Sequence, residues 1–316
     1  MNELHYDDVL LLPSKAVVDS RSEVDVTQML GSYQFKLPIV PANMKTVIDV
    51  DLAKWLADNG HFYVMHRFGI SITDFINQMD GRYLSISIGV NQESYELLHS
   101  LRTSGSDFYP DFVTIDIAHG HCNKMKEMLR FLKNTFPETF VIAGNVCTVE
   151  GTKFLNHYGA NAIKVGIASG HVCITKLQTG FSRPQFSAVQ ECAKVSKVPV
   201  IADGGVQNNG DIAKALVAGA RMVMVGSLLA GFDESPGKKI VYPDGRMVKE
   251  YFGSASEDNK GRKEHVEGRK IEIPYRGSIV DKYKEIEESL RSSVSYAGGD
   301  SLSVFHTVKW VTQKTP

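Results

Sequence analysis

The chain has 316 residues, with 35 Lys and Arg against 36 Asp and Glu and a formal net charge of −1. That balance gives no electrostatic footprint for nucleic acid or an anionic membrane surface, and no apolar run reaches the roughly 18 residues that a membrane-spanning helix needs. The four cysteines, Cys122, Cys147, Cys173 and Cys192, show neither CxxC pairing nor metal-ligand spacing, so they read as reduced thiols of a cytoplasmic protein and not as a disulfide framework.

The acidic start, Met1 to Asp8, lacks the apolar core of a secretory signal. After an irregular opening with Pro13, short β-type apolar runs recur. They are Leu37–Val40, Phe62–Met65, Leu84–Ile88, Phe112–Ile115, Thr139–Ala143, Ala162–Val165, Val198–Ala202 and Met222–Val225. Each is followed, at once or within a few residues, by Gly, Asn, Asp or His, and their spacing leaves room for a strand, a helix and two loops. Helical periodicity predicts helices between them: Asp49–Asn59 with Gly60 as the stop, Asn123–Asn134, and Asp211–Ala218 with Gly219 as the stop. Eight strand–helix units predict a TIM (β/α)8 barrel in one domain, with a doubly wound open sheet as the alternative. A barrel would gather the strand-end loops on one face, among them Asn43-Met44, His66-Arg67, Asp116, Gly144-Asn145, Asp203-Gly-Gly205 and Gly226-Ser227.

After the eighth run the pattern changes. Gly231 to Gly277 is charged and glycine-containing, with no clear apolar period and a hairpin expected through Pro243-Asp-Gly245. A connection of this length is functional or mobile. Asp281–Ser292 then reads as an amphipathic helix with Tyr283, Ile286 and Leu290 on one side.

The densest chemistry lies in Gly166 to Gly180. Glycines let backbone amides form a nest, and Cys173 sits among those dipoles, which favour a thiolate. Cys173 is therefore either a nucleophile or an incidental thiol in an ordinary loop. Asp203-Gly-Gly205 and Gly226-Ser227 end the last two strands, where barrels bind phosphate through backbone amides, unless these are only tight turns. Asp203 repels phosphate and suits a ribose hydroxyl pair. Asp116 suits a ligand amide or ring nitrogen. Arg67 could meet a phosphate or carboxylate, or form a surface salt bridge. The His119/His121 pair has no third ligand nearby and does not read as a metal site. Glu267 taken alone reads as a solvated acid.

Together these residues resemble the IMP dehydrogenase/GMP reductase family over nearly the whole chain. The matching pieces include Tyr6-Asp-Asp-Val-Leu-Leu, Pro41-Ala-Asn-Met44, Thr114 to Gly120, Ala143-Gly-Asn-Val146, Lys164-Val-Gly, Val172-Cys-Ile-Thr-Lys176, Ala202-Asp-Gly-Gly205, Tyr251 to Ser256 and Ser295-Tyr-Ala-Gly298. The regulatory insertion usual after strand two of IMP dehydrogenases is absent, and so is their Arg-Tyr pair in the flap. Glu267-Gly268 instead looks like the acid that GMP-reducing members pair with the threonine two after the cysteine. Met65-His-Arg-Phe68 looks like the form found in Gram-positive bacteria.

The resemblance implies NADPH-dependent reductive deamination of GMP to IMP and ammonia in purine salvage. Cys173 would form a thioimidate at purine C2, with Thr175 and Glu267 assisting proton transfer. Asp203 would hold the ribose, and Gly204, Gly205, Gly226 and Ser227 the phosphate. His171, Tyr251, Gly253 and Ser254 would complete the substrate site. Asp116, Ile117, Ala118 and Arg67 would contact the cofactor. Carbonyls of Ala168, Gly170 and Cys173 would be placed to bind K+, although relatives carry Gly-Pro where this chain has Ala168-Ser169. Glu264 stands near a position that is often basic, so that nucleotide contact is not carried over. A homotetramer is expected, with GMP and IMP as partners. The rival functions are an IMP dehydrogenase without the insertion and a non-catalytic purine-nucleotide sensor.

Overall fold

The computed structural model describes residues 3–103, 109–260 and 266–313. Three short strands come first: β1 (Val9–Leu11), β2 (Gln28–Leu30) and β3 (Tyr33–Phe35). The main sheet follows with β4 (Ile39–Pro41), β5 (Ser85–Ile88), β6 (Phe112–Asp116), β7 (Phe140–Val146), β8 (Ala162–Val165), β9 (Val200–Asp203) and β10 (Met222–Val225). All neighbours are parallel, in the order β4-β10-β9-β8-β7-β6-β5.

Seven of the eight expected runs therefore form the laddered sheet. Phe62–Met65 does not; it contributes one parallel bridge, Met65 to Ile86, with hydrogen bonds from Met65 N to Ser85 O at 3.1 Å and from Ser87 N to Met65 O at 3.0 Å. Its side chains nonetheless alternate as a strand's do. Phe62 and Val64 join the core inside the sheet, and Tyr63 and Met65 the core outside it.

The same alternation explains why the strands read as continuous apolar runs: both faces are buried. In β6, Phe112 packs inside while Val113 and Ile115 pack against the outer helices. The β2–β3 hairpin inserts Leu30 and Phe35 into the inner core, where Phe35 meets Phe62 with ring centroids 5.0 Å apart. Each fully buried side chain of this size contributes roughly 1.5–3 kcal/mol.

The helices obey their predicted boundaries within a few residues. Asp49 caps Val50–Asp58 by accepting from Leu52 N at 3.0 Å. Asn123–Thr135 buries Met125, Met128, Leu129 and Leu132, and Asn208 caps Asn209–Val217. The C-terminal helix is longer than its periodicity suggested, spanning Ile279–Ala297. Ser278 caps its start and Gly298 ends it in a left-handed conformation, while Ile279, Val294 and Ala297 extend the buried stripe. Among the described residues no helix is long and apolar enough to cross a membrane.

The segment from Gly231 to Gly277 is more regular than its composition suggested. It carries β11 (Lys239–Val241), β12 (Met247–Phe252) and β13 (Lys270–Pro274) in an antiparallel sheet. The expected hairpin is present, with Gly245 at φ 83° and Tyr242 N bonded to Arg246 O at 2.9 Å. An apolar period is hard to see because the buried Lys249 interrupts β12; its ammonium is held by the carbonyls of Phe232, at 2.5 Å, and Ser235. The last strand, β14 (Trp310–Thr312), pairs antiparallel with β1. Glu264 lies outside the described residues.

Candidate active site

The C-terminal ends of the parallel strands open on a pocket of about 500 Å³, a usual size for a small-molecule site. One wall is the loop after β8. Gly166 begins it at φ 151°, where a Cβ would lie 1.9 Å from Asp203 O. Gly204, at φ 91°, faces the same loop, and a Cβ there would lie 2.5 Å from Ser169 Oγ. Only glycine permits this close approach. Ser169 Oγ then donates to Asp203 O at 2.7 Å and ties the loop to the end of β9. Ala168 has φ 59°, so the left-handed turn is kept without glycine.

Cys173 is half-buried in this wall. Its Sγ lies 3.1 Å from Thr175 Oγ1, and that hydroxyl donates to Glu267 Oε2 at 2.5 Å. Glu267 arrives from the segment after β10 through backbone pairing. Ile174 N donates to Glu267 O at 2.8 Å, Arg269 N donates to Val172 O at 2.9 Å, and Cys173 and Gly268 form an antiparallel bridge. The acid that looked solvated in the sequence is thus a partner of the cysteine loop.

The floor is a chain of charged groups in which sequence reasoning assigned the two acids but not the lysine between them. Lys164, with a side chain 3% exposed, lies between Asp203 Oδ2 at 2.5 Å and Asp116 Oδ1 at 2.7 Å. Asn145 Nδ2 donates to Asp203 Oδ2 at 2.9 Å, and Asn43 Nδ2 to Asp116 Oδ2 at 2.9 Å. Burial alone would raise the Asp116 pKa, but the Lys164 ammonium, Asn43 and Arg67 outweigh it and hold the carboxyl below its ordinary range. Burial works against the Lys164 charge too, and the two carboxylates more than offset it. The signal in the sequence was a single lysine inside the apolar run Ala162-Ile-Lys-Val165. A lysine so fully buried needs partners.

Arg67 Nη2 donates to Asp116 O at 3.1 Å, while its Nε is buried without a partner among the described residues. Arg67 therefore sits in the pocket and makes no surface salt bridge among the described residues. Ile117, Ala118, Tyr251, Gly253 and Ser254 also line the pocket, with Met44, Phe68 and Met224 as further apolar wall. The lining stops short of Gly204, Gly205, Gly226, Ser227 and His171. Gly226 lies directly beneath Tyr251, since a Cβ there would be 2.4 Å from the phenol oxygen. His171 is exposed, and its carbonyl accepts from Arg269 Nη2 at 3.4 Å. The His119 and His121 rings are 6.4 Å apart, and His121 packs on Phe154.

This pocket brings a thiol, a hydroxyl and a carboxylate into line beside an Asp–Lys–Asp chain centred on the buried Lys164. Comparison with known proteins agrees along the whole length. The family described as IMP dehydrogenase / GMP reductase domain matches residues 3–316. A GMP reductase of Bacillus subtilis (strain 168) is 51% identical over 318 residues, covering 99% of this chain and 97% of that protein. A GMP reductase of Albidiferax ferrireducens is 49% identical, covering 99% of this chain and 96% of that protein. One from an Exiguobacterium species is 50% identical, with 98% and 95% covered. With its cysteine loop, its pocket and nearly every residue inside that match, the chain belongs to the IMP dehydrogenase / GMP reductase family.

Proposed function

We propose that this chain catalyses the NADPH-dependent reductive deamination of GMP to IMP and ammonia. The observation that carries the reading is the alignment of Cys173, Thr175 and Glu267 at 3.1 and 2.5 Å. A hydroxyl has one proton to give. With that of Thr175 directed to Glu267, the Cys173 thiol can donate to the Thr175 oxygen. The three groups then form a proton wire from sulfur to carboxylate.

The thiolate so formed adds to C2 of the purine. The exocyclic amino group leaves as ammonia, and its proton is supplied from Glu267 through Thr175. A thioimidate to Cys173 remains at C2. A bound reduced nicotinamide would supply hydride to that carbon, and release of the Cys173 thiolate would free IMP. Asp203 is proposed to accept from the ribose hydroxyls through Oδ1, which has no donor among the described residues. Gly204, Gly205, Gly226 and Ser227 are proposed to cradle the phosphate, with His171, Tyr251, Gly253 and Ser254 completing the nucleotide site.

Two features of the pocket suit a nicotinamide cofactor. Arg67 keeps an unpartnered buried donor, and Asp116, Ile117 and Ala118 line the same cavity as Cys173. These four residues would hold it. The carbonyls of Ala168, Gly170 and Cys173 are the proposed K+ ligands, supported by the left-handed turn at Ala168. We read residues 62–65 as the eighth strand of a closed barrel and the chain as a single domain, because their alternation matches that of the laddered strands. The segment bearing Glu267 is proposed to be mobile, since isolated bridges and not a ladder join it to the cysteine loop. A cytoplasmic homotetramer is proposed on the resemblance.

The test is to mix the protein with GMP and NADPH and follow cofactor absorbance, with IMP and NAD+ as the opposed pair. Oxidation of NADPH with GMP supports the reading; reduction of NAD+ with IMP alone, or no turnover with either pair, overturns it.

A further inference from the structure

Lys164 is the least exposed charged group of the pocket, and it touches both of the pocket's half-buried aspartates. Its neighbours form an unbroken polar chain: Asn145, Asp203, Lys164, Asp116, Asn43. Asn145 is anchored by donating to Gly166 O at 2.6 Å, at the root of the cysteine loop. At the other end, Arg67 holds the Asp116 carbonyl. The two carboxylates lie in different halves of the proposed site: Asp203 on the ribose side, Asp116 on the nicotinamide side. They share no direct hydrogen bond among the described residues, and the ammonium is their link.

We infer that Lys164 is a positioning residue that holds Asp116 and Asp203 as one charged unit and thereby couples the nucleotide subsite to the cofactor subsite. The inference rests on the GMP-reducing reading and extends it to how the two ligands are bound together.

The physical argument is short. Lys164 has one charge to share between two acceptors. Ribose hydroxyls that donate to Asp203 orient that carboxylate and, through the shared ammonium, orient Asp116. The ordering is done once, so the second ligand binds to a site already arranged. A buried lysine between two acids is suited to this because moving it toward one carboxylate uncovers the other. A lysine serving stability alone would lower both affinities and leave their interdependence unchanged.

The experiment is calorimetric titration of GMP into the protein alone and into the protein saturated with NADP+, which cannot deliver hydride. In the native protein the cofactor should tighten GMP binding roughly fivefold or more, the lower range of measured coupling between sites. In Lys164→Met the ratio should fall to about one. Asp116→Asn is the second variant; it keeps Lys164 paired with Asp203, so no uncompensated buried charge threatens folding, and it should also bring the ratio to about one. A native ratio of one overturns the inference, as does a native-like ratio in either variant. A parallel turnover assay separates the two levels. If native protein shows coupling without NADPH oxidation, the reaction is wrong and the link stands. Turnover with unchanged coupling in the variants means the reverse.

Discussion

Thr175 and Glu267 stand 92 positions apart in the chain, and their side chains meet at 2.5 Å. The contact joins the loop after β8 to the segment after β10, and it places an acid one hydroxyl away from Cys173. The chemistry proposed here depends on that meeting.

Replacing Cys173 by alanine should abolish turnover, by about 10⁴-fold or more, because the covalent route is lost outright. GMP affinity should change little, since the thiol is not among the groups proposed to hold ribose or phosphate. Titration calorimetry beside a stopped-flow assay checks both halves. Substantial turnover by the variant would remove the thioimidate from the mechanism.

Glu267→Gln keeps shape and removes the proton acceptor, so kcat should fall roughly 10²- to 10⁴-fold with GMP affinity nearly unchanged. Thr175→Val should do much the same. Because the hydroxyl and the carboxylate act in series, the double variant should be little worse than either single one. Multiplying losses in the double variant would show that the two residues work independently.

Two buried histidines set an acid limit to stability. His61 packs between Trp55 and Tyr283, and burial, with Lys36 nearby, pushes its pKa down to about 4. His66 is pushed down to about 4 by burial, with Lys45 adding to the effect. Its ring is held neutral as Nδ1 accepts from Phe68 N at 3.2 Å. A folded pKa below the unfolded value of about 6.5 means that the unfolded chain takes up the proton first. The stability each neutral ring contributes is complete above about pH 6.5 and is lost as pH falls toward 4. In His61→Phe, which preserves the ring packing, the decline between pH 7 and pH 5 should shrink by about 2 kcal/mol in urea melts. An unaltered pH dependence would mean that His61 protonates in place without cost.

Ala168 occupies φ 59°, where an L-residue other than glycine costs roughly 1–2 kcal/mol. Ala168→Gly should therefore stabilise the fold by up to about 1 kcal/mol after the added unfolded-state freedom is subtracted. Activity should fall when choline replaces K+, in native and variant protein alike, because both keep the carbonyl in place. Potassium-independent turnover would remove the cation from the proposal.

The fold was largely legible because its strands are buried on both faces and bounded by glycine or acid, as Ala162–Val165 and Met222–Val225 show. Phe62–Met65 reads the same way in sequence but makes only one bridge, since hydrogen-bond register depends on neighbouring strands and not on the run itself. Cys173 and Thr175 could be picked out because they are close in sequence and set among glycines. The role of Glu267 could not be read from its own surroundings; only resemblance singled it out, because pairing across the pocket leaves no local trace. Lys164 left a trace, a charge in an apolar strand, but its meaning required knowing that Asp116 and Asp203 end the strands on either side of the pocket floor.

The acid and the thiol reach the site on different supports. Cys173 belongs to a loop of the parallel sheet, whereas Glu267 lies just ahead of the last strand of the small antiparallel sheet, on a stretch that docks through Val172–Arg269 and Ile174–Glu267 backbone bonds. The enzyme is in this sense assembled from a common chassis and an exchangeable cassette. A replacement segment that preserved those two backbone contacts while carrying a different side chain at the Glu267 position would present new chemistry to the same nucleophile, with the parallel sheet left as it is.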